Sequence, residues 1–180
     1  MFNKILVAID TSSMSRWVFN FAVSIAKQFN AHLALLYVET LEHSDVLATL
    51  IPYTFEEYPH PLDNPLRCYV GHFDPERLDG IHNPELNLLR SYTHEAITHG
   101  VMAEFFQCLG DPGMNICDFA KLWQADLIII GHRGRSGLAE AMLGSVSNYV
   151  AHHSPCSVHI VRPSLNTNST EFKAIETVLH

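Results

Sequence analysis

The stretch IIIGHRGRSGLAEAMLGSVSNYV, from Ile128 to Val150, ends an apolar run at a glycine and then spends Gly131, Gly134 and Gly137 within seven residues. A fourth glycine, Gly144, arrives directly before Ser145. A surface turn needs one or two such residues. A loop that brings bare backbone against a ligand needs more, because glycine has no Cβ to hold an oxygen away. The run before it, DLIII, is continuously apolar, as in a strand covered on both faces, and Val146 to His152 restore a helical pattern.

The same strand–helix alternation runs through the chain. KILVAID, Lys4 to Asp10, is an apolar strand ending in a carboxylate. TSSMS supplies capping hydroxyls, and Trp17, Val18, Phe21, Ala22, Ile25, Ala26 and Phe29 then form one helical stripe. HLALLYV, His32 to Val38, is a second strand, and Val101 to about Leu109 a third. Asp111-Pro112 reads as a helix cap followed by proline at the first helical position. Ile116, Phe119, Ala120 and Trp123 give that helix its inner face. SVHIVR, Ser157 to Arg162, is the last strand. Such alternation calls for a parallel sheet with right-handed crossovers.

One crossover is oversized: 62 residues separate Val38 from Val101. It holds Pro52, Pro59, Pro61, Pro65, Pro75 and Pro84, six of the nine prolines. Its first two-thirds, an insertion at about 42–83, is expected to be irregular, a lid or docking segment. PELNLLRSYTHEAITHG then restores a helix, with Leu86, Leu89, Tyr92, Ala96 and Ile97 on one side and Gly100 at its end. The expected organisation is one domain over 1–163 and a tail over 164–180 that forms a short terminal helix.

Composition narrows the function. Apolar residues make up 47% and charged residues 17%, an ordinary globular mixture. A formal charge of -8 with no basic block argues against a nucleic-acid or anionic-membrane surface. No apolar run approaches the ~20 residues that span a bilayer, and no secretory signal is visible, so a cytoplasmic location is expected. Cys68, Cys108, Cys117 and Cys156 form no CxxC pair and are expected as buried thiols. Among twelve histidines, the spacings of His60, His72 and His82 match no zinc pattern, and the adjacent His152 and His153 cannot chelate together. No side-chain metal site is expected.

The glycines have two readings. Open parallel sheets bind ligands beyond the carboxyl ends of their strands, where Gly131 stands. Gly144-Ser145 opens the next helix, whose amides and dipole suit a phosphate. Alternatively, Gly131 and Gly134 only turn the chain and Gly144 packs against a neighbour. The Walker and dinucleotide patterns are both absent, and the loop has no lysine. With no GxSxG and no base placed for a γ-phosphate, no catalytic residue is assigned.

Gly131, two residues, Gly134, nine residues, Gly144 and Ser145 have the G-x2-G-x9-G-[ST] form found in ATP-binding universal stress proteins. ADLIIIGHRGRSGLAEAMLGSVSNYVAHHSPCSVHIVRP resembles the carboxyl-terminal signature of that family almost continuously. KILVAIDTS resembles its first strand and Gly110–Pro112 the turn before its third helix. The resemblance covers 1–39 and about 84–163. It implies a doubly wound α/β domain, adenine nucleotide alpha-hydrolase-like, with a five-stranded parallel sheet of order 3-2-1-4-5 and helices on both faces. It implies a nucleoside held by Ala8, Ile9, Asp10 and Val38. It implies phosphates on Gly131, His132, Arg133, Gly134, Gly144, Ser145, Val146 and Ser147, with Mg2+ or Mn2+ carried on them. ATP, or ADP or AMP, is the implied ligand, and a homodimer through the last strand the implied assembly. The function this points to is a nucleotide-dependent sensor or switch with a protein partner. A slow ATPase or phosphotransferase, or a cyclic-nucleotide binder, are the rival readings.

Overall fold

The computed structural model describes residues 1–40, 56–57, 67–71, 84–132 and 144–162. Strand β1 (Lys4–Ala8) takes its conformation from a run of β-branched and aliphatic residues and is buried on both faces. Ile5 and Val7 enter one core layer and Leu6 the other, all three fully inaccessible to water. The chain continues through α1 (Met14–Phe29), β2 (His32–Glu39), β3 (Glu56–Glu57), β4 (Arg67–Gly71) and α2 (Pro84–Thr98). It closes with β5 (Ala103–Leu109), α3 (Pro112–Trp123), β6 (Leu127–Gly131), α4 (Ser145–His153) and β7 (Ser157–Val161).

The sheet runs β3-β4-β5-β2-β1-β6-β7. Strands β5, β2, β1, β6 and β7 pair in parallel, which is the expected 3-2-1-4-5 order when the parallel strands alone are counted. The two further strands are a correction. β4 pairs antiparallel with β5, and β3 antiparallel with β4, so the long crossover is not irregular throughout. RCYVG occupies the proline-free gap between Pro65 and Pro75, and the prolines on either side hid its β-forming character. By pairing with β5 it covers what would otherwise be an open sheet edge. The lid or docking role expected for 42–83 falls mostly outside the described residues, as does the tail helix.

Helices α1 and α2 cover one face and α3 and α4 the other. In α1 the innermost row is Ser15, Val18, Phe19, Ala22, Val23 and Ala26. Trp17, Phe21, Ile25 and Phe29 flank it at the core's margin, so the stripe read from sequence is rotated by about one residue. In α2, Ile97 is 49% exposed rather than inward, and Thr93 takes the inner place. Its hydroxyl tolerates burial by donating to Leu89 O at 2.8 Å. Asp111 caps α3 as expected, accepting from Met114 N at 2.9 Å. The cysteine expectation also needs correction: Cys108 is disulfide-bonded, while Cys117 and Cys156 carry free thiols. The β4–β5 pairing, invisible in the sequence, sets Cys68 opposite Cys108 in the strand register.

The amino-terminal margin of the sheet is pinned by Asp126, which accepts from Asn3 N at 2.7 Å and Lys4 N at 2.9 Å. Those two backbone donors hold its carboxyl below the ordinary value of 3.8. Because the folded value is the lower one, the stabilisation is complete above 3.8 and is lost as pH falls through the folded value. Asp126→Asn is therefore expected to be less stable than the parent protein at neutral pH. The gap should close as the pH drops below 3.8, which urea midpoints measured across that range will check.

Candidate functional site

Adjacent strands β1 and β6 send their chains to opposite faces: α1 follows β1 onto one layer, and α4, beyond β6, packs into the other. The carboxyl ends of β1 and β6 are therefore where an open parallel sheet is expected to take a ligand. Ile9 stays in the ladder, its N–H donating to Leu36 O at 2.8 Å. Asp10 turns out of it.

The Asp10 carboxylate organises this end. Its Oδ1 accepts from Ser12 N at 2.9 Å and Ser12 Oγ at 2.5 Å, and lies 2.7 Å from Ser15 Oγ. Ser15, almost wholly buried, also accepts from Asp10 N at 3.0 Å. Within TSSMS, the hydroxyls of Ser12 and Ser15 thus serve Asp10. Ser13, the residue before α1, makes no side-chain cap, which corrects the sequence reading.

Beside Asp10, the Tyr37 hydroxyl is pushed well above its ordinary value, by burial first and then by the carboxylates of Glu39, Glu85 and Asp10. It stays protonated and donates to Glu39. Asp10 beyond β1, Glu39 of β2 and Glu85 of α2 all act on this hydroxyl, so the local field at this end is negative and disfavours phosphate. Gly110 N closes the neighbouring rim by donating to Glu39 O at 2.8 Å.

The α4 end has the opposite character. Gly144 is the N-cap, extended at φ -60 and ψ 156, and having no side chain it makes no side-chain cap bond. The first intrahelical bond, Asn148 N to Gly144 O, is 2.8 Å. The amides of Ser145, Val146 and Ser147 precede it and have no intrahelical acceptor, and the helix dipole adds partial positive charge. An anion is favoured at this end.

A sequence model of the universal stress protein family matches residues 1–162. The chain belongs to the universal stress protein family. The universal stress protein YxiE of Bacillus subtilis is 37% identical over 165 residues, covering 90% of this chain and 100% of its own. Among solved structures, a universal stress protein in complex with cAMP superposes with a TM-score of 0.60 at 24% identity, over 91% of this chain and 99% of the other. An Arabidopsis thaliana family member with AMP bound gives 0.57 at 20%, over 93% and 97%. These two likenesses establish the fold.

In this universal stress protein the structure brings Ala8, Ile9, Asp10, Gly131 and His132 to one sheet edge, with Val38 at the end of β2. Gly144, Ser145, Val146 and Ser147 form the start of α4. Arg133 and Gly134 lie outside the described residues. His132 is held by its backbone, donating to Val161 O at 2.9 Å. Ser147 is buried, and its hydroxyl donates to Gly144 O at 3.1 Å, so that proton is committed inside the turn. Sequence reasoning missed Tyr37, Glu39 and Glu85, whose meeting depends on strand register and helix docking. It also missed Gly113, where a Cβ would lie 2.8 Å from Tyr149 Cδ1. That close approach packs α3 against the middle of α4, and its signal in the sequence was a second glycine within GDPG.

Gly131 has a packing role of its own. A Cβ there would lie 3.0 Å from both Met14 Cγ and Val18 Cγ2, so α1 rests directly on the bare end of β6. Gly131→Ala is expected to lower unfolding stability by about 1–3 kcal/mol without any ligand, since the packed pair must shift. Urea denaturation of the two proteins measures this, and equal midpoints would remove the packing role.

Proposed function

We propose that this universal stress protein binds an adenine nucleotide across the β1–β6 crevice and works as a cytoplasmic ATP-responsive switch toward a protein partner. The observation that supports this most is the polarity of the site. A carboxylate-rich end and an uncapped helix start share the carboxyl edge of adjacent strands. A nucleotide has matching polarity, with hydroxyl and amine donors at one end and oxyanions at the other. In this reading Ala8, Ile9, Asp10 and Val38 hold the nucleoside, Asp10 accepting from ribose hydroxyls. Gly131, His132, Gly144, Ser145 and Val146 receive the phosphates, together with Arg133 and Gly134. Ser147 contributes its amide, its hydroxyl being committed to Gly144 O. Mg2+ or Mn2+ would ride on the phosphates and neutralise them. The relatives solved with cAMP and AMP lend support from the same fold.

Isothermal titration of ATP, ADP, AMP and cAMP against three variants tests the reading. Asp10→Asn should weaken all the nucleotides alike, since it acts at the nucleoside. Gly144→Val should weaken ATP most, by well over about tenfold, because a branched Cβ occupies the phosphate's approach. Ser145→Ala should cost roughly ten- to a hundredfold, one hydrogen bond to a charged group being worth about 1.5–3 kcal/mol. Unchanged ATP binding by a folded Gly144→Val protein overturns the assignment. Tighter binding of cAMP than of ATP favours the cyclic-nucleotide reading, and repeated product release favours the ATPase.

We further propose a homodimer through residues 157–162. β7 pairs only with β6 among the described strands. Val161 O accepts from His132 N, and the N–H and C=O of one residue point to the same side of a strand. Ser157, His159 and Val161 therefore face β6, and Val158 and Ile160 turn their amides to the open edge. Val158→Pro or Ile160→Pro should abolish the dimer while sparing the β6–β7 ladder. Light scattering at micromolar concentration reads the outcome, and a monomeric parent protein would refute the dimer.

A further inference from the structure

Strand β4 meets β5 with Cys68 at the register position directly opposite Cys108. Directly opposed residues in an antiparallel pair have Cα atoms roughly 4.5–5.5 Å apart, inside the ~4.4–6.8 Å range of disulfides. Cys108 is disulfide-bonded, and of the four cysteines Cys117 and Cys156 are free. Elimination and register indicate the same partner. We propose that Cys68 and Cys108 form a reversible thiol–disulfide exchange site that clips the inserted strand β4 to the sheet, with a low-molecular-weight disulfide such as oxidised glutathione as its reactant.

The burial pattern sets the order of events. Cys108 is wholly buried in the layer formed with α3, so a reagent in solution does not reach it first. Among the described residues β3 pairs with β4 at Tyr69 and Val70, one position past Cys68, and the first step is assigned to Cys68. The Cys68 thiol loses its proton to solvent, and its thiolate attacks one sulfur of the small disulfide. A Cys68–small-thiol mixed disulfide forms, and the other small thiol departs with its electron pair and takes up a proton. Cys108, deprotonated in turn, attacks the Cys68 sulfur and displaces the second small thiol. Two protein thiols are oxidised and one small disulfide is reduced to two thiols, so atoms and electrons balance.

Cys117 and Cys156 stay outside this chemistry. Burial is the first cause holding both thiols above their ordinary value, Cys117 at about 11. Protonated thiols are poor nucleophiles. The clip acts next to the proposed site, since Cys108 pairs with Val38, and Gly110 two residues later bonds Glu39 O. It requires no nucleotide, so its test is independent of the previous section.

The full chain is treated with oxidised glutathione, blocked with N-ethylmaleimide under denaturing conditions and digested for mass spectrometry. The expected result is a linked peptide pair carrying Cys68 and Cys108, with Cys117 and Cys156 alkylated. In Cys108→Ser the mixed disulfide at Cys68 has no resolving thiol, and it should accumulate at least about tenfold above the parent protein. Cys68→Ser should leave Cys108 unmodified until the protein is unfolded. Reduction of the parent protein should speed hydrogen exchange in residues 67–71 and leave β1 and β6 unchanged. Linkage to Cys117 or Cys156, free Cys68 and Cys108 after oxidation, or native glutathionylation of Cys108 in Cys68→Ser would each overturn the proposal.

Discussion

Everything in this protein follows from a strand with no wet side. Ile5, Leu6 and Val7 of β1 alternate between two core layers and meet no solvent in either. Burying each such side chain is worth about 1.5–3 kcal/mol, so both faces of the sheet must be covered, and helices are the available cover. With both faces occupied, the strand ends are the ground left for a ligand. At the ends of β1 and β6 the next helices depart to opposite faces, which leaves ground for a ligand between them. The crevice beside Asp10 is thus a by-product of how the core is closed.

The glycines show how one residue answers to two demands. Strand β6 ends at the first of a series of them. At Gly131 the first answer is mechanical: α1 lies so close that Met14 and Val18 occupy the space of a side chain. That contact also fixes the start of α1, and hence Ser15 and the loop that carries Asp10. Gly144 starts α4 without a side-chain cap of its own, and the first-turn amides have no acceptor within the helix. Bare backbone therefore serves packing on one side of the crevice and charge on the other.

What the sequence made legible was whatever depends on local period and neighbouring residues. The five parallel strands, the helices between them and the Asp111 cap all express themselves within a few positions of chain. The β4 pairing did not, because proline density on both sides outweighed a five-residue β-forming run, and its partner lies 40 positions away. Ile97 and Thr93 exchanged places because helix rotation is set by docking, to which apolarity is only a partial guide. Of the candidate site, the glycine-loop residues and Asp10 were readable as a motif. Tyr37, Glu39 and Glu85 were not, since no spacing in the chain announces that a tyrosine on β2 feels the carboxylates of Asp10, Glu39 and Glu85.

The bond between Asn3 N and Asp126 spans 123 positions, and it has a bearing on how the chain comes into being. Synthesis delivers β1 before β6, with the 123 positions between Asn3 and Asp126 intervening. Until then β1 can gather α1 and β2 on one side, but its other backbone edge, centre of the finished sheet, has nothing to bond. Contacts of such range are slow to close, and unpaired apolar edges invite other chains meanwhile. The nascent half-sheet is thus the form of this protein with most to gain from a ribosome-associated chaperone, and the arrival of residues 126–131 is the moment that need ends.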